Sequence, residues 1–169
     1  WWTGALAERG FPVPAPVRTL AGAFMLPLDG GQVATALSWV SGSPIGAAGT
    51  PLDGSPAEQA ATYRALGQLL ARLHALSDGL ALPRGFTRRD WNAQGFLGES
   101  PLWGRFWEHP SLSPDQARLL GETRERARAA LADYDKSHPD RGLIHADALR
   151  ENVFRTGQGL ALIDFDDAG

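Results

Sequence analysis

The sequence predicts an α+β fold, because strand-like runs lie near both ends of the chain and two long helical segments lie between them. Near the N-terminus, residues 22–28 and 32–40 are predicted strands. Near the C-terminus, residues 153–155 and 160–163 flank a Thr-Gly-Gln-Gly turn, which predicts a β-hairpin. A short apolar run at residues 142–144 is predicted as a buried strand that leads into this region.

Two capping boxes with proline at the first helical position predict where the long helices begin. They are Ser-Pro-Ala-Glu at residues 55–58 and Ser-Pro-Asp-Gln at residues 113–116. The first helix is predicted to end near His74 and the second near Tyr134. The buried face of the first is predicted to comprise Tyr63, Leu66, Leu70 and Leu73. The inward residues of the second are predicted to be Leu120, Ala127, Leu131 and Tyr134.

The composition is that of one compact domain: 169 residues, of which 43% are hydrophobic. A net charge of −3 argues against nucleic acid as a partner, and the absence of cysteine excludes disulfides. No apolar run approaches the roughly 20 residues that a membrane-spanning helix needs. We therefore expect a cytoplasmic protein with no membrane partner, whose one candidate linker is the Gly-, Pro- and Ser-rich segment 41–55.

Three polar residues around the predicted hairpin are spaced for phosphoryl transfer. Asn152 precedes the first strand and Asp164 follows the second, so antiparallel pairing brings both to one end of the hairpin. Two protein oxygens suffice for Mg²⁺, because phosphates and water complete its shell. Asp147 enters from the preceding loop, and a carboxylate beside the attacking hydroxyl is the other group that this reaction needs.

The residues also carry a family resemblance. The pattern H-x-D-x-x-x-x-N at residues 145–152, followed by I-D-F-D at residues 163–166, resembles the catalytic and metal-binding segments of the aminoglycoside phosphotransferase-like kinases. This superfamily includes choline, homoserine and stress-response kinases and shares the protein kinase architecture. The resemblance implies a protein kinase-like fold with part of an N-lobe, a hinge, and a mainly helical C-lobe that carries the catalytic loop and the hairpin.

The same resemblance implies an activity and roles for residues. The activity is transfer of the γ-phosphoryl group of ATP to a hydroxyl of a small molecule, or of a serine or threonine in a protein. Asp147 would be the catalytic base, and Asn152 and Asp164 would bind magnesium. His145 would support the catalytic loop through hydrogen bonds, and Asp166 would help to fix the metal-binding segment or a second metal ion.

By the order of its elements, the chain is divided into three parts. Residues 1–40 are expected to be the remnant of the N-lobe, with the end of a helix and two strands. Residues 41–55 are expected to be the hinge and linker, and residues 56–169 the C-lobe. The run from Leu37 to Pro44 resembles the hinge, where backbone groups bind adenine. The neighbourhood expected to contact adenine comprises Ser38, Trp39 and Val40.

The irregular segment 83–110 is rich in aromatic residues, and two interpretations of it stay open. Trp103, Phe106 and Trp107 fall on one side of a predicted short helix, where they would pack onto the lobe. The alternative is that they form a wall of the acceptor pocket. Asp90 and Glu99 would then add negative charge for a cationic acceptor, although a surface role is the simpler interpretation for both.

A missing lysine changes what this chain alone is expected to do. The only lysine is Lys136, near the end of the second long helix. In the superfamily, the lysine that clamps the nucleotide phosphates comes from a strand well before the hinge. We therefore expect an internal fragment that lacks the first strands, the glycine-rich loop and the lysine, and that is truncated at its C-terminus. Little turnover is expected from it alone.

Two other functions are compatible with the residues. One is a metal-dependent hydrolase, in which the metal cluster would be built from His145, Asp147, Asp164 and Asp166, with His109 and His138 as further ligands. The other is a non-catalytic binding module that keeps the kinase shape. The identity of the acceptor and the oligomeric state are open at this point.

Overall fold

The structure is a computed structural model that describes residues 1–137 and 140–169. The chain forms two compact units. The first comprises residues 1–86 and 142–168, and the second comprises residues 87–141 with Gly169. This division does not test the lobe boundaries expected at residues 40 and 55, because both lie inside the first unit. They stay a prediction.

The first unit contains two helices, five very short strands and a hairpin. In chain order the elements are α1 (Trp2–Glu8), β1 (Pro16–Val17), β2 (Leu26–Pro27), β3 (Val33–Ala34), β4 (Ala36–Leu37), β5 (Ser43–Pro44), α2 (Pro56–Asp78), β6 (Val153–Thr156) and β7 (Gly159–Leu162). A single 3-10 turn, Asp29–Gly31, separates β2 from β3. The pairs β1 with β4 and β2 with β3 are separate two-stranded sheets, and β5, β6 and β7 form a three-stranded antiparallel sheet.

The N-terminal strands are much shorter than predicted. Residues 22–28 and 32–40 pair over only two positions at a time. Pro27 has no N–H to donate to a ladder, and Gly30 lies at a positive φ of 74° within the turn. The prediction of a strand at 142–144 is wrong. This run forms no strand, and Leu143 instead packs against the core as a partly buried side chain.

The C-terminal hairpin agrees with its prediction. Strands β6 and β7 are antiparallel, with Val153 opposite Leu162 and Thr156 opposite Gly159. The Thr156 hydroxyl accepts a hydrogen bond from the Gln158 N–H at 3.1 Å, which holds the tight turn. Val153 and Leu162 are fully buried, so the two strands are fixed by side-chain packing as well as by their ladder.

Helix α2 begins as predicted but its buried face is different. The Ser55 hydroxyl and the Glu58 carboxylate cap the start of the helix reciprocally. The helix continues to Asp78, four residues beyond the predicted end. Tyr63 is 42% exposed, so its predicted place on the buried face is wrong. The residues of α2 that are buried are Leu66, Leu69, Leu73 and Ser77.

The core of the first unit joins segments from both ends of the chain. Its buried residues come from α1, from the turn that follows it, from α2 and from the hairpin. The indole Nε1 of Trp2 donates a hydrogen bond to the Ser77 hydroxyl at 3.0 Å, so the polar edge of this buried ring is satisfied. The cluster comprises Trp2, Leu6, Phe11, Val13, Leu66, Leu69, Leu73, Val153, Leu162 and Ala168.

The second unit contains α3 (Ala93–Leu97), a 3-10 turn (Phe106–Glu108) and α4 (Pro114–Ser137). The predicted capping box is present at the start of α4, where Ser113 and Gln116 exchange hydrogen bonds of 2.8 and 3.3 Å. No residue of α4 is fully buried. Leu131 and Tyr134 are exposed, so their predicted inward position is wrong. The elements packed on α4 are the short ones, α3 and the 3-10 turn, which are too small to cover its whole length.

The aromatic residues of the second unit separate into two groups. Trp107 is buried beneath the guanidinium of Arg124, whose Cζ lies 4.1 Å from the ring centroid. Trp103 lies outside the 3-10 turn and stacks on Trp91, with ring centroids 6.2 Å apart. The predicted single face of three aromatic residues is therefore split. Among the residues that the structure describes, no helix is long and apolar enough to cross a membrane.

Candidate active site

The predicted site residues lie at the open end of the hairpin. The Ile163 N–H donates a hydrogen bond of 3.0 Å to the carbonyl of Asn152, one position beyond the last paired residues of β6 and β7. Asp164 follows directly. The antiparallel register thus brings Asn152 and Asp164 to the same end of the hairpin, as the spacing predicts.

Asn152 ties this end of the hairpin to the preceding loop. Its amide Nδ2 donates to the backbone carbonyl of Asp147 at 2.9 Å and to the carboxylate Oδ2 of the same residue at 2.8 Å. The Asn152 side chain is only 9% exposed. Because the amide nitrogen makes both bonds, the amide oxygen is the atom of this side chain that could bind a cation.

His145 is buried behind the loop and is 2% exposed. Its Nε2 lies 2.9 Å from the carbonyl oxygen of Ile163, and the Asp147 N–H donates to its Nδ1 at 3.3 Å. A carbonyl only accepts and an N–H only donates, so the ring carries its proton on Nε2 and is neutral. Burial lowers the pKa of His145, against the opposing effects of the Ile163 carbonyl and of the carboxylates of Asp147 and Asp164.

Two aromatic contacts support His145 from the side of the core. The Phe165 ring lies 4.5 Å from the His145 ring, and the Trp2 indole meets Phe165 edge-on at 5.3 Å between centroids. Helix α1 therefore contacts the residue that follows Asp164 directly. This packing fixes the orientation of the imidazole and of the chain on either side of the site.

Two residues of the site have an unusual backbone. Ala146 has φ of 63° and Asp164 has φ of 61°, and both lie in the left-handed region that residues with a Cβ rarely occupy. Such conformations cost about 1 to 3 kcal/mol each and persist only when the surrounding contacts enforce them. Here the enforcing contacts are the hydrogen bonds of His145 and Asn152 to either side.

The donor set suits a magnesium ion better than a hydrolase metal cluster. The Asn152 amide and the Asp164 carboxylate are both oxygen donors, which is the chemistry that Mg²⁺ prefers. Asp166 donates its N–H to Asp164 Oδ1 at 3.4 Å, which helps to orient that carboxylate. Within residues 1–137 and 140–169, no three His, Asp or Glu side chains gather as a metal cluster. His109 bonds to Ser111, and His138 lies outside the described residues.

The three residues expected at the adenine site differ in what they offer. The Ser38 N–H donates to the carbonyl of Ala15 at 2.8 Å, and the Ser38 hydroxyl accepts from the Ala15 N–H. The backbone N–H of Ser38 therefore already has a partner within the chain and is not free to bond to adenine. The side chain of Trp39 is 88% exposed. Val40 borders a depression of about 400 Å³ that it shares with Pro12 and the hairpin turn.

The acidic residues considered for a cationic acceptor are paired within the second unit. Glu99 accepts from Arg124 at 2.7 Å and from Arg105 at 3.3 Å, and the bond from Arg124 lowers the pKa of Glu99. Asp90 accepts from Asn92 at 2.7 Å. The only lysine, Lys136, pairs with Asp133 on the same helix. These contacts favour the surface interpretation of Asp90 and Glu99.

Sequence reasoning missed two residues inside the catalytic loop. Arg150 and Glu151 lie between Asp147 and Asn152 and bond to the segment 46–50, about a hundred residues earlier. No local pattern links these positions. A charged pair directly before Asn152 in the H-x-D-x-x-x-x-N run was the available signal, but it did not indicate which residues the pair contacts.

The structure thus brings together a carboxylate in the loop before the hairpin, an amide that is bonded to it, and a second carboxylate at the hairpin end. The model of the phosphotransferase enzyme family matches residues 2–169. The chain belongs to this family.

Curated relatives and solved structures agree with this assignment. The homoserine kinase of Methylobacillus glycogenes is 31% identical over 162 residues, which is 95% of this chain and 43% of the relative. The homoserine kinase of Acidiphilium cryptum (strain JF-5) is 33% identical over 175 residues, 98% of this chain and 47% of the relative. The chain thus spans somewhat less than half the length of the curated relatives it matches.

Among solved structures, a microcompartment-associated aminopropanol kinase aligns with a TM-score of 0.78 and 29% identity, over 99% of this chain and 52% of that chain. Amicoumacin kinase hAmiN, in complex with AMP-PNP, Ca²⁺ and Ami, aligns with a TM-score of 0.62 and 20% identity, over 99% and 46% of the two chains. The second likeness shows the fold alone. The predicted family and the kinase-like α+β fold are confirmed.

Proposed function

We propose that this chain carries the catalytic segment of a kinase that transfers the γ-phosphoryl group of ATP to a hydroxyl of a small molecule. The observation that carries the proposal is the bond from the Asn152 amide to the Asp147 carboxylate, at the hairpin end that also bears Asp164. Phosphoryl transfer depends mainly on positioning and on neutralisation of charge.

In this proposal Asp147 orients the acceptor hydroxyl and takes its proton. Its Oδ2 is held by Asn152, so its other carboxylate oxygen is the one directed to the hydroxyl. The Asp147 N–H is held by His145, which fixes the loop from behind. A general base held in this way contributes about 10²- to 10⁴-fold to the rate.

Asn152 and Asp164 would hold magnesium through one amide oxygen and one carboxylate. When bound, the ion supplies positive charge beside the phosphates. The bond from the Ile163 N–H to the Asn152 carbonyl keeps the two donor residues at the same end of the hairpin, and the backbone near Val40 would contact adenine. We also propose low turnover for these 169 residues alone, because their one lysine pairs with Asp133 on α4 and the sequence has no second lysine to clamp the phosphates.

The acceptor that we propose is a small amino alcohol. Homoserine and aminopropanol, the compounds named for the relatives, each carry an amine and a hydroxyl on a short carbon chain. Glu99 bonds to Arg124 and Asp90 to Asn92, so these carboxylates give no support for a cationic acceptor. The proposal of an amino alcohol therefore depends on the substrates named for the relatives. The family alone supports the coarser proposal of a small-molecule hydroxyl acceptor.

The test is phosphoryl transfer by the full gene product, followed as ADP release over a panel of amino alcohols. D147N should lower kcat by about 10²- to 10⁴-fold, because it removes the base but keeps the shape. The matched control is D115N, at a carboxylate on the surface of α4 that is 93% exposed. Turnover of D147N equal to that of D115N would contradict the proposed role, and absence of transfer to any hydroxyl would contradict the proposed function.

A further inference from the structure

The start of the predicted hinge and linker segment, at residues 42–45, is bound along the catalytic hairpin. Strand β5 pairs with β6, with Ser43 opposite Arg155, and the Ile45 N–H donates to the Val153 carbonyl at 2.9 Å. A Cβ at Gly42 would lie 2.5 Å from the carbonyl oxygen of Arg155, so only glycine allows this approach. The segment expected to be a linker is therefore ordered against β6.

Beyond the strand, the same segment closes into a turn at residues 47–50. The Thr50 hydroxyl donates to the Ala47 carbonyl at 2.7 Å, and Gly49 has a φ of 72°, which suits glycine. This turn presents two backbone carbonyls and one N–H toward the catalytic loop. It carries no charged side chain of its own.

Arg150 and Glu151 bind this turn at three points. One guanidinium nitrogen of Arg150, Nη2, donates to the carbonyls of Ala47 and Thr50 at 2.5 and 3.0 Å. The Glu151 carboxylate accepts from the Ala48 N–H. The stem of Arg150 also packs on Gly46, where an added Cβ would lie 3.1 Å from the Arg150 Cδ. The arginine thus donates to two carbonyls of the turn, and the glutamate accepts from one of its N–H groups.

The two residues occupy the centre of the turn that carries the site. The Asn152 N–H donates to the Leu149 carbonyl at 2.9 Å, which closes a four-residue turn with Arg150 and Glu151 at its corners. The Asn152 side chain then closes the loop onto Asp147. A rotation of this turn would therefore move both Asp147 and Asn152.

We propose that Arg150, with Glu151, is a positioning residue that clamps the catalytic loop to the turn at residues 47–50. This inference rests on the proposed function, because it assigns the clamp to the geometry of Asp147 and Asn152 in phosphoryl transfer. It also connects the catalytic loop to the predicted linker segment through one side chain. Arg150 contacts neither nucleotide nor acceptor in this proposal.

The test compares R150Q with R155Q in the full gene product. Arg155 lies on β6, five residues after Arg150, and its guanidinium donates to the Thr62 hydroxyl of α2 at 3.1 Å. Each variant therefore removes one positive charge and one hydrogen-bonded arginine. R150Q should lower kcat and raise the Mg²⁺ concentration for half-maximal rate, each by about 10- to 100-fold, as loss of a supporting contact does at other metal sites. R155Q should leave both values unchanged, and R150K, which can reach one carbonyl, should restore part of the loss.

A second measurement does not depend on activity. The hydrogen exchange of the Asn152 side-chain amide, followed by NMR in the full gene product, should be faster in R150Q than in R155Q and wild type. Equal exchange in the two variants, or an equal Mg²⁺ requirement, would overturn the clamp while leaving the proposed function intact. If the wild-type protein transfers no phosphoryl group, the proposed function fails and the exchange measurement alone decides whether the clamp exists.

Discussion

At the scale of single residues, His145 has the most constrained environment of the predicted site. It bonds to the carbonyl that follows β7 and to the N–H of Asp147, and both bonds require a neutral ring with the proton on Nε2. These two bonds tie the loop at Asp147 to the chain after β7, and the supporting role that the resemblance implies for His145 stays a prediction. Protonation would remove the acceptor that Asp147 uses.

The lowered pKa of His145 gives a prediction for pH. The unfolded chain binds this proton more tightly than the folded chain, so the free energy of unfolding should fall as the pH falls through the ordinary histidine value of 6.5. Urea unfolding of H145Q between pH 7.5 and 5.5 should show a smaller loss of stability than wild type. H109Q, at an exposed histidine, should keep the full dependence. Identical pH dependence in wild type and H145Q would contradict the buried neutral ring.

The backbone at Ala146 gives a second prediction. Glycine tolerates its φ of 63° without the clash of a Cβ, so A146G should raise the free energy of unfolding by about 0.5 to 1 kcal/mol, net of the entropy of the unfolded chain. The control A71G lies at an exposed position of α2 and should lower stability by about 1 kcal/mol. Thermal unfolding of both variants checks the opposite signs. A loss of stability in A146G would show that the strain is not real.

The predictability of single residues depended on how far away their partners lie in sequence. The meeting of Asn152 and Asp164 at one end of the hairpin was predictable because one hairpin pairs the residues beside them, and Asp147 lies only five residues before Asn152. The contacts of Arg150 were not predictable, because its partners lie 103 and 100 residues away, and nothing in an Ala- and Gly-rich turn marks it as the partner of an arginine.

At the scale of elements, α2 contributes a row of buried side chains to the core of the first unit. Leu73 is fully buried in this row, whereas Leu119 on α4 is 59% exposed. L73A should therefore lower the free energy of unfolding by about 2 to 5 kcal/mol through lost burial and a residual cavity. L119A should change it by less than about 0.5 kcal/mol. Urea denaturation measures both, and equal effects would contradict the packing described for α2.

Local signals predicted the elements well where the signal was itself local. The capping boxes at Ser55 and Ser113 placed both helix starts, and the Thr-Gly-Gln-Gly turn placed the hairpin. The lengths of the strands before the hinge were overestimated, because an apolar run continues as a strand only as far as its partner strand runs beside it. Most apolar side chains there, such as Val33 and Leu37, are more than half exposed in this chain.

At the scale of the whole molecule, the first unit is assembled from both ends of the sequence. The Leu162 N–H donates to the Pro12 carbonyl at 3.0 Å, and Trp2 packs on Phe165. The site therefore depends on contacts between residues about 150 positions apart, which order late when a chain folds. The second unit has its own network around Glu99 and Trp107, and no residue of the predicted trio belongs to it.

The central claim is that Asp147, Asn152 and Asp164 share one site for a divalent cation and nucleotide. The most direct measurement uses Mn²⁺ with AMP-PNP, because the paramagnetic ion broadens NMR signals only in its immediate neighbourhood. We predict selective broadening at these three residues, and not at Asp133 or Asp135 on α4, and we predict that D164N abolishes it. Sharp signals at the three residues, with broadening elsewhere in the chain, would contradict the account.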